Sequence, residues 1–201
     1  MAQENVVVVR FTEPSTAHQA LTVLKQCGKD DRISLKSAAV VQRTSAGDLR
    51  TLEDWESLGP VGGLTGGLIG MLIGVLGGPL GVLIGWVAGA TLGGVFDIEH
   101  AETSDEALTV LGTAIPAGST AVIADVEEPA VEVIDGEMKK LDGEVTRRPV
   151  DEVMNELEAA EEAADAAAHE ARKAVRDKRK AEVHADVQER VGKLKEKLHV
   201  S

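Results

Sequence analysis

The sequence predicts an α+β fold: a ferredoxin-like β-α-β-β-α-β domain, interrupted by a glycine-zipper helical hairpin and followed by a long C-terminal α-helix. Three observations lead there. The order strand, helix, strand occurs on both sides of the chain's middle; the middle is an uncharged, glycine-rich block; and residues 150–199 contain no proline and one glycine, Gly192. The boundaries are 1–56 and 98–149 for the two halves of the domain, 57–97 for the hairpin and 150–201 for the charged tail.

Val6 to Phe11 is a run of β-branched and aromatic residues and reads as the first strand. Thr12, Glu13 and Pro14 start a helix that carries Ala17, Ala20, Leu21 and Leu24 at helical spacing to Cys27, with Gly28 as its stop. Ile33 to Arg43 is a second strand with Ile33, Leu35 and Ser37 on one face, and Ala46-Gly47-Asp48 is a turn. Beyond the glycine block, Ser104-Asp105-Glu106 cap a short helix running to Ile115, which Pro116 to Ser119 break. Thr120 to Glu127 is a strand. A helix starting at Pro129 then puts Val131, Ile134, Met138 and Leu141 on one face, and Glu144 to Val150 is the last strand.

The glycine block holds the main functional signal. No charged residue lies between Glu56 and Asp97, and 14 of the residues from Gly59 to Gly94 are glycine. Gly62, Gly66, Gly70, Gly74 and Gly78 form one row at a spacing of four, and Gly77, Gly81, Gly85, Gly89 and Gly93 form a second. Residues four apart are neighbours on a helix, so each row lines one side. An interior glycine costs about 0.8–1.0 kcal/mol relative to alanine, and close backbone approach between helices is the compensation that small residues at this spacing offer. Gly77-Gly78-Pro79 is the hairpin turn, since Pro79 cannot continue a helix but starts one well. Each half of about 18 residues then spans about 27 Å, slightly under a bilayer core of about 30 Å. Trp55 sits where an interfacial anchor would, and the basic residues beside the block are Arg43 and Arg50. Two expectations follow. Either the hairpins enter the cell membrane from the cytoplasm, or they are buried inside a soluble homo-oligomeric scaffold or shell; both require self-association.

Composition excludes several classes. The net charge of −13 opposes nucleic-acid binding, which needs a basic surface. The N-terminus MAQENVVVVRF lacks the basic region and long apolar run of a secretory signal. The single cysteine, Cys27, reads as a small apolar residue. No G-x-G-x-x-G or G-x-x-x-x-G-K-[ST] phosphate loop occurs, and His18, His100, His169, His184 and His199 share no zinc-ligand spacing. The expectation is therefore a protein that is not an enzyme, with no cofactor, no metal and no evident small-molecule substrate. Its partner is itself, with a lipid bilayer in the first of the two readings.

In the tail all eight charged residues from Asp151 to Glu170 are acidic, whereas Arg172 to Lys197 contains ten basic and five acidic ones. That order suits the helix dipole. Val153, Leu157, Ala160, Ala164, Ala167, Ala171 and Ala174 step as a thin coiled-coil seam, so the tail reads either as a coiled coil or as a single solvated helix.

The succession SAAVVQRTSAGDLR, GPVGGLTGGLIGMLIGVLGGPLGVLIGWVAGATLGG and IPAGSTAVIADVEE resembles bacterial domain-of-unknown-function family 1269, with the likeness covering roughly residues 5 to 150. Members are often described as membrane proteins and are similar to a group of general stress proteins. The resemblance implies an architecture, a membrane association and a link to stress; it brings no catalytic residues.

Overall fold

The structure, a computed structural model, describes residues 3–56, 67–78 and 106–163, together with the helical residues 166, 169, 170, 172, 173, 176 and 179. The chain divides into two compact units, Met1–Glu158 and Ala159–Ser201. In the second unit the described residues are helical, and all are exposed except Ala160, which is half-buried. The other alanines of the expected seam lie outside the described residues.

The first unit is mixed α+β. Its elements are β1 (Gln3–Phe11), α1 (Pro14–Lys29), β2 (Ser34–Arg43), β3 (Leu49–Glu56), α2 (Leu68–Gly77), α3 (Ala107–Thr113), β4 (Thr120–Glu128), α4 (Glu132–Lys139) and β5 (Glu144–Pro149). A further helix, α5, starts at 150. The five strands form one sheet in the order β3-β2-β4-β1-β5, with every neighbouring pair antiparallel. The two β-α-β halves interleave: β4 lies between β1 and β2, and β1 lies between β4 and β5.

Strand β3 is an addition to the expected order. The chain turns at Gly47, whose φ is 97°, with Thr44 N–H donating to Asp48 O, and returns beside β2 as an edge strand. Opposite Val40 and Val41 the register skips Leu52, which is left 44% exposed. The edge is tied to α1 by Glu53, which accepts from His18 Nδ1 at 2.7 Å and Lys25 Nζ at 3.0 Å. Those two partners, His18 first, hold the Glu53 carboxyl below its ordinary range.

Both sheet faces are covered. On the first, Val7, Val9, Phe11, Val122, Ala124 and Val126 meet Ala17, Ala20, Leu21 and Leu24 of α1 and Ile134 and Met138 of α4. A bulge at Lys36 shifts the register between Leu35 and Ser37, so the core side of β2 passes from Leu35 to Ala38 and Val40. Ser37 therefore does not share a face with Leu35, contrary to unbroken alternation, because one extra residue reverses the side-chain parity. The alternate positions Val6, Val8, Ala39, Val41, Ala121 and Ile123 form a second buried face, each at most 2% exposed. That face carries α2 and α3.

Helix ends account for further differences from the expected boundaries. Gly28 does not stop α1, which runs on to Lys29. Instead Arg32 N–H donates to Cys27 O and Asp31 N–H to Gly28 O, with Asp31 at φ 55°. In α4 the same pair of bonds joins Gly143 N–H to Met138 O and Asp142 N–H to Lys139 O, with Asp142 at φ 54°. Both are Schellman ends with aspartate in the left-handed position usually taken by glycine. A Cβ at Gly28 would lie 3.4 Å from Leu35 Cβ, an ordinary van der Waals contact. Helix α4 begins at Glu132, not Pro129, and Val131 is 41% exposed and so lies off the core face. Helix α3 ends at Thr113, ahead of Ile115, and β5 ends at Pro149, where Val150 already begins α5.

Candidate functional site

Of the glycine block, the structure describes residues 67–78. They form α2, a helix of 10 residues, about 15 Å long at 1.5 Å per residue. It lies against β2, β3 and β4. Ile69, Leu72 and Leu76 are 5%, 0% and 0% exposed, spaced at three and four so that they share one side. Burying each contributes about 1.5–3 kcal/mol, more than the roughly 1 kcal/mol that each interior glycine costs, so packing overrides propensity. The described part of the segment is held by the sheet. Among the described residues no helix is long and apolar enough to cross a membrane.

The expected glycine row divides accordingly. Gly74 lies two residues from both Leu72 and Leu76, about 200° around the helix from each. It is exposed, and a Cβ built on it would meet nothing within 4 Å among the described residues. Gly70 is half-buried. Gly78 caps α2, and a Cβ there would lie 3.0 Å from Gly74 O. Gly77, expected in the hairpin turn and the second row, ends α2 facing β3, where a Cβ would lie 3.2 Å from Leu49 Cβ. Its lack of a side chain serves contact with the domain's own edge strand. Gly62, Gly66, Pro79, Gly81, Gly85, Gly89 and Gly93 lie outside the described residues, as does the expected second helix. Leu68, Met71, Ile73 and Val75 are half-buried, and α2 contains no polar side chain at all. Away from the sheet, the helix is thus wholly apolar and carries a glycine with open space above it.

What seats α2 is Arg43, read from sequence as a basic residue beside a membrane hairpin. It is 0% exposed. Its Nε donates to Ile115 O at 2.7 Å, and its Nη1 donates to Gly47 O at 2.9 Å and Leu76 O at 3.3 Å. One guanidinium so joins the β2-β3 turn, the last turn of α2 and the chain just after α3. A cation beside carbonyls at a helix C-terminus is favoured by the dipole. Burial pushes the Arg43 pKa down. Sequence reasoning missed this role, though Arg43 follows Ala39 and Val41 at a spacing of two, the parity of a buried face.

Two other places were candidates. Asp125 on β4 is 7% exposed, its Oδ1 has no hydrogen-bond partner, and desolvation raises its pKa from 3.8 to about 6. Its charged neighbours are Glu4 and Lys36, which pair with each other at 2.5 Å. At the opposite end of the sheet, a cleft of about 310 Å³ is lined by Arg10, Phe11, Thr12, Pro116, Ser119, Asp142 and Glu144. Its arginine is paired to Glu144 and its serine hydroxyl donates to Pro116 O, so these groups are engaged within the fold. Among the described residues no three His, Cys, Asp or Glu side chains are grouped to hold a metal ion. Cys27 is buried, and desolvation raises its pKa, which disfavours the thiolate.

No curated protein and no solved structure matches the chain. One family model does, over residues 63–162. The match starts inside the glycine block and ends in α5, so β1, α1, β2 and β3 lie outside it while the first turns of the tail lie within it. The resemblance drawn from the sequence ran over roughly 5 to 150, and the match overlaps it from residue 63 onward. Through α2, α3, β4, α4, β5 and the start of α5, the chain belongs to the family described as protein of unknown function DUF1269.

Proposed function

We propose that this chain is a non-enzymatic, self-associating protein whose copies meet on the outward side of α2, with the glycine-rich segment buried inside the assembly. The observation that carries the reading is the division of α2. Ile69, Leu72 and Leu76 are used on the sheet, while the opposite side is apolar, with Gly74 open to close approach. Small residues on such a side let a second helix come near enough for extensive dispersion contact. The sheet edges supply no competing interface. The β3 edge is bulged at Leu52, and β5 is short, carries Arg147 and Arg148 and ends in proline, all features that discourage edge pairing.

Within this reading the domain is ferredoxin-like. The order β5-β1-β4-β2 is that of a split β-α-β sandwich, to which β3 adds an edge and α2 and α3 add a third layer. Burial inside an assembly is favoured over crossing a bilayer because α2 already lies on the sheet and is only half as long as a bilayer core is thick. Light scattering on the full chain tests the proposal. A particle of several copies should shrink in Gly74→Leu while the circular dichroism stays unchanged. Equal particle size in the two proteins would refute the interface, and retention of the chain in carbonate-washed membranes would put lipid, in place of a second copy, on that side of α2.

A further inference from the structure

We propose that the first turns of α5 are a strap that holds α3 against the domain, so that α3 keeps its place only while the start of the tail is docked. Helix α3 has seven residues, too few to be stable alone. The cap comes from far along the chain: Glu156 Oε1 accepts from Ala107 N–H at 2.7 Å, and Oε2 accepts from Leu108 N–H at 2.8 Å. A carboxylate receiving two of the free amides of a first turn also meets the positive end of the helix dipole. Val153 and Leu157, which flank Glu156 on α5, are 0% and 1% exposed, so the carboxylate is delivered by a docked helix and not by a free side chain. From α3 the connection continues through Ile115 O to Arg43 and on to Leu76 O of α2. Displacing the strap would therefore loosen α3 first and then the seat of α2, making exposure of the second sheet face conditional on the tail. The sequence shows Glu156 only as one member of an acidic run.

Hydrogen–deuterium exchange on the full chain tests the strap with Glu156→Ala and the milder Glu156→Gln. Loss of a charged cap of two bonds should speed exchange over residues 106–113 about tenfold in Glu156→Ala, with a smaller rise in Glu156→Gln, while β1 and β4 stay protected. Unchanged exchange over 106–113 in both variants would overturn the inference. So would an equal rise in β1 and β4, which would mark global destabilisation instead of a local release. Particle size is read separately by light scattering, so failure of the strap and failure of the self-association reading can be told apart.

Discussion

Replacing Asp125 with asparagine should stabilise the protein near neutral pH, and its magnitude follows from the burial of that carboxyl. Asp125 stands on β4 between Val6 of β1 and Ser37 of β2, 7% exposed and with Oδ1 unpartnered. Desolvation, with a smaller contribution from Glu4, raises its pKa from 3.8 to about 6, against the opposing pull of Lys36. A carboxyl whose folded pKa is raised is stabilising below its unfolded pKa, and that stability is lost as pH rises through about 6. The gap converts to about 3 kcal/mol carried as a penalty at neutral pH. Asparagine has nearly the same shape and no charge to bury. Urea unfolding followed by circular dichroism should therefore show Asp125→Asn about 3 kcal/mol more stable at about pH 7.5. At about pH 5 the wild type recovers roughly 1.4 kcal/mol of that difference as the folded carboxyl takes up a proton. Glu53 and Glu137 titrate the other way, their carboxyls held below the ordinary 4.5 chiefly by His18 and Lys140, so their stabilisation is lost only under more acidic conditions. An advantage for Asp125→Asn that is absent, or the same at both pH values, would refute the account of a desolvated, ionised Asp125.

Other substitutions test other parts of the packing. Gly143→Ala should destabilise by about 1–3 kcal/mol in urea, because its Cβ would lie 2.7 Å from Phe11 Cε1 and 2.8 Å from Val9 Cγ1, in a buried core that must be overpacked. Asp31→Gly and Asp142→Gly should each stabilise by about 0.5–1 kcal/mol, since both positions have positive φ and glycine takes that conformation without the Cβ clash; a fall in thermal midpoint would argue against it. Gly77→Leu should lower the thermal midpoint, because its side chain would meet Leu49; a midpoint equal to that of wild type would remove this contact from the account.

The sequence by itself determined what depends on neighbours along the chain. The runs Val6–Phe11 and Thr120–Glu127 could be read as strands, and Ala17, Ala20, Leu21 and Leu24 as the buried side of a helix, because side-chain period reports local geometry directly. The glycine spacing likewise made small-residue helix faces visible. Tertiary structure decided where those faces point. Gly74 and Gly77 look alike in the sequence, yet one stands in open space and the other against Leu49, because Ile69, Leu72 and Leu76 fix the rotation of α2 on the sheet. Strand β3 was hidden because LRTLEDWE is polar and carries a bulge, so its pairing rests on β2 and on the contacts of Glu53 and not on its own alternation. Arg43 and Glu156 acquire their roles across 72 and 49 residues of chain. A hydrogen bond between groups so far apart leaves no periodic trace, since the carbonyls and amides it joins are present at every position and only the fold selects which of them meet.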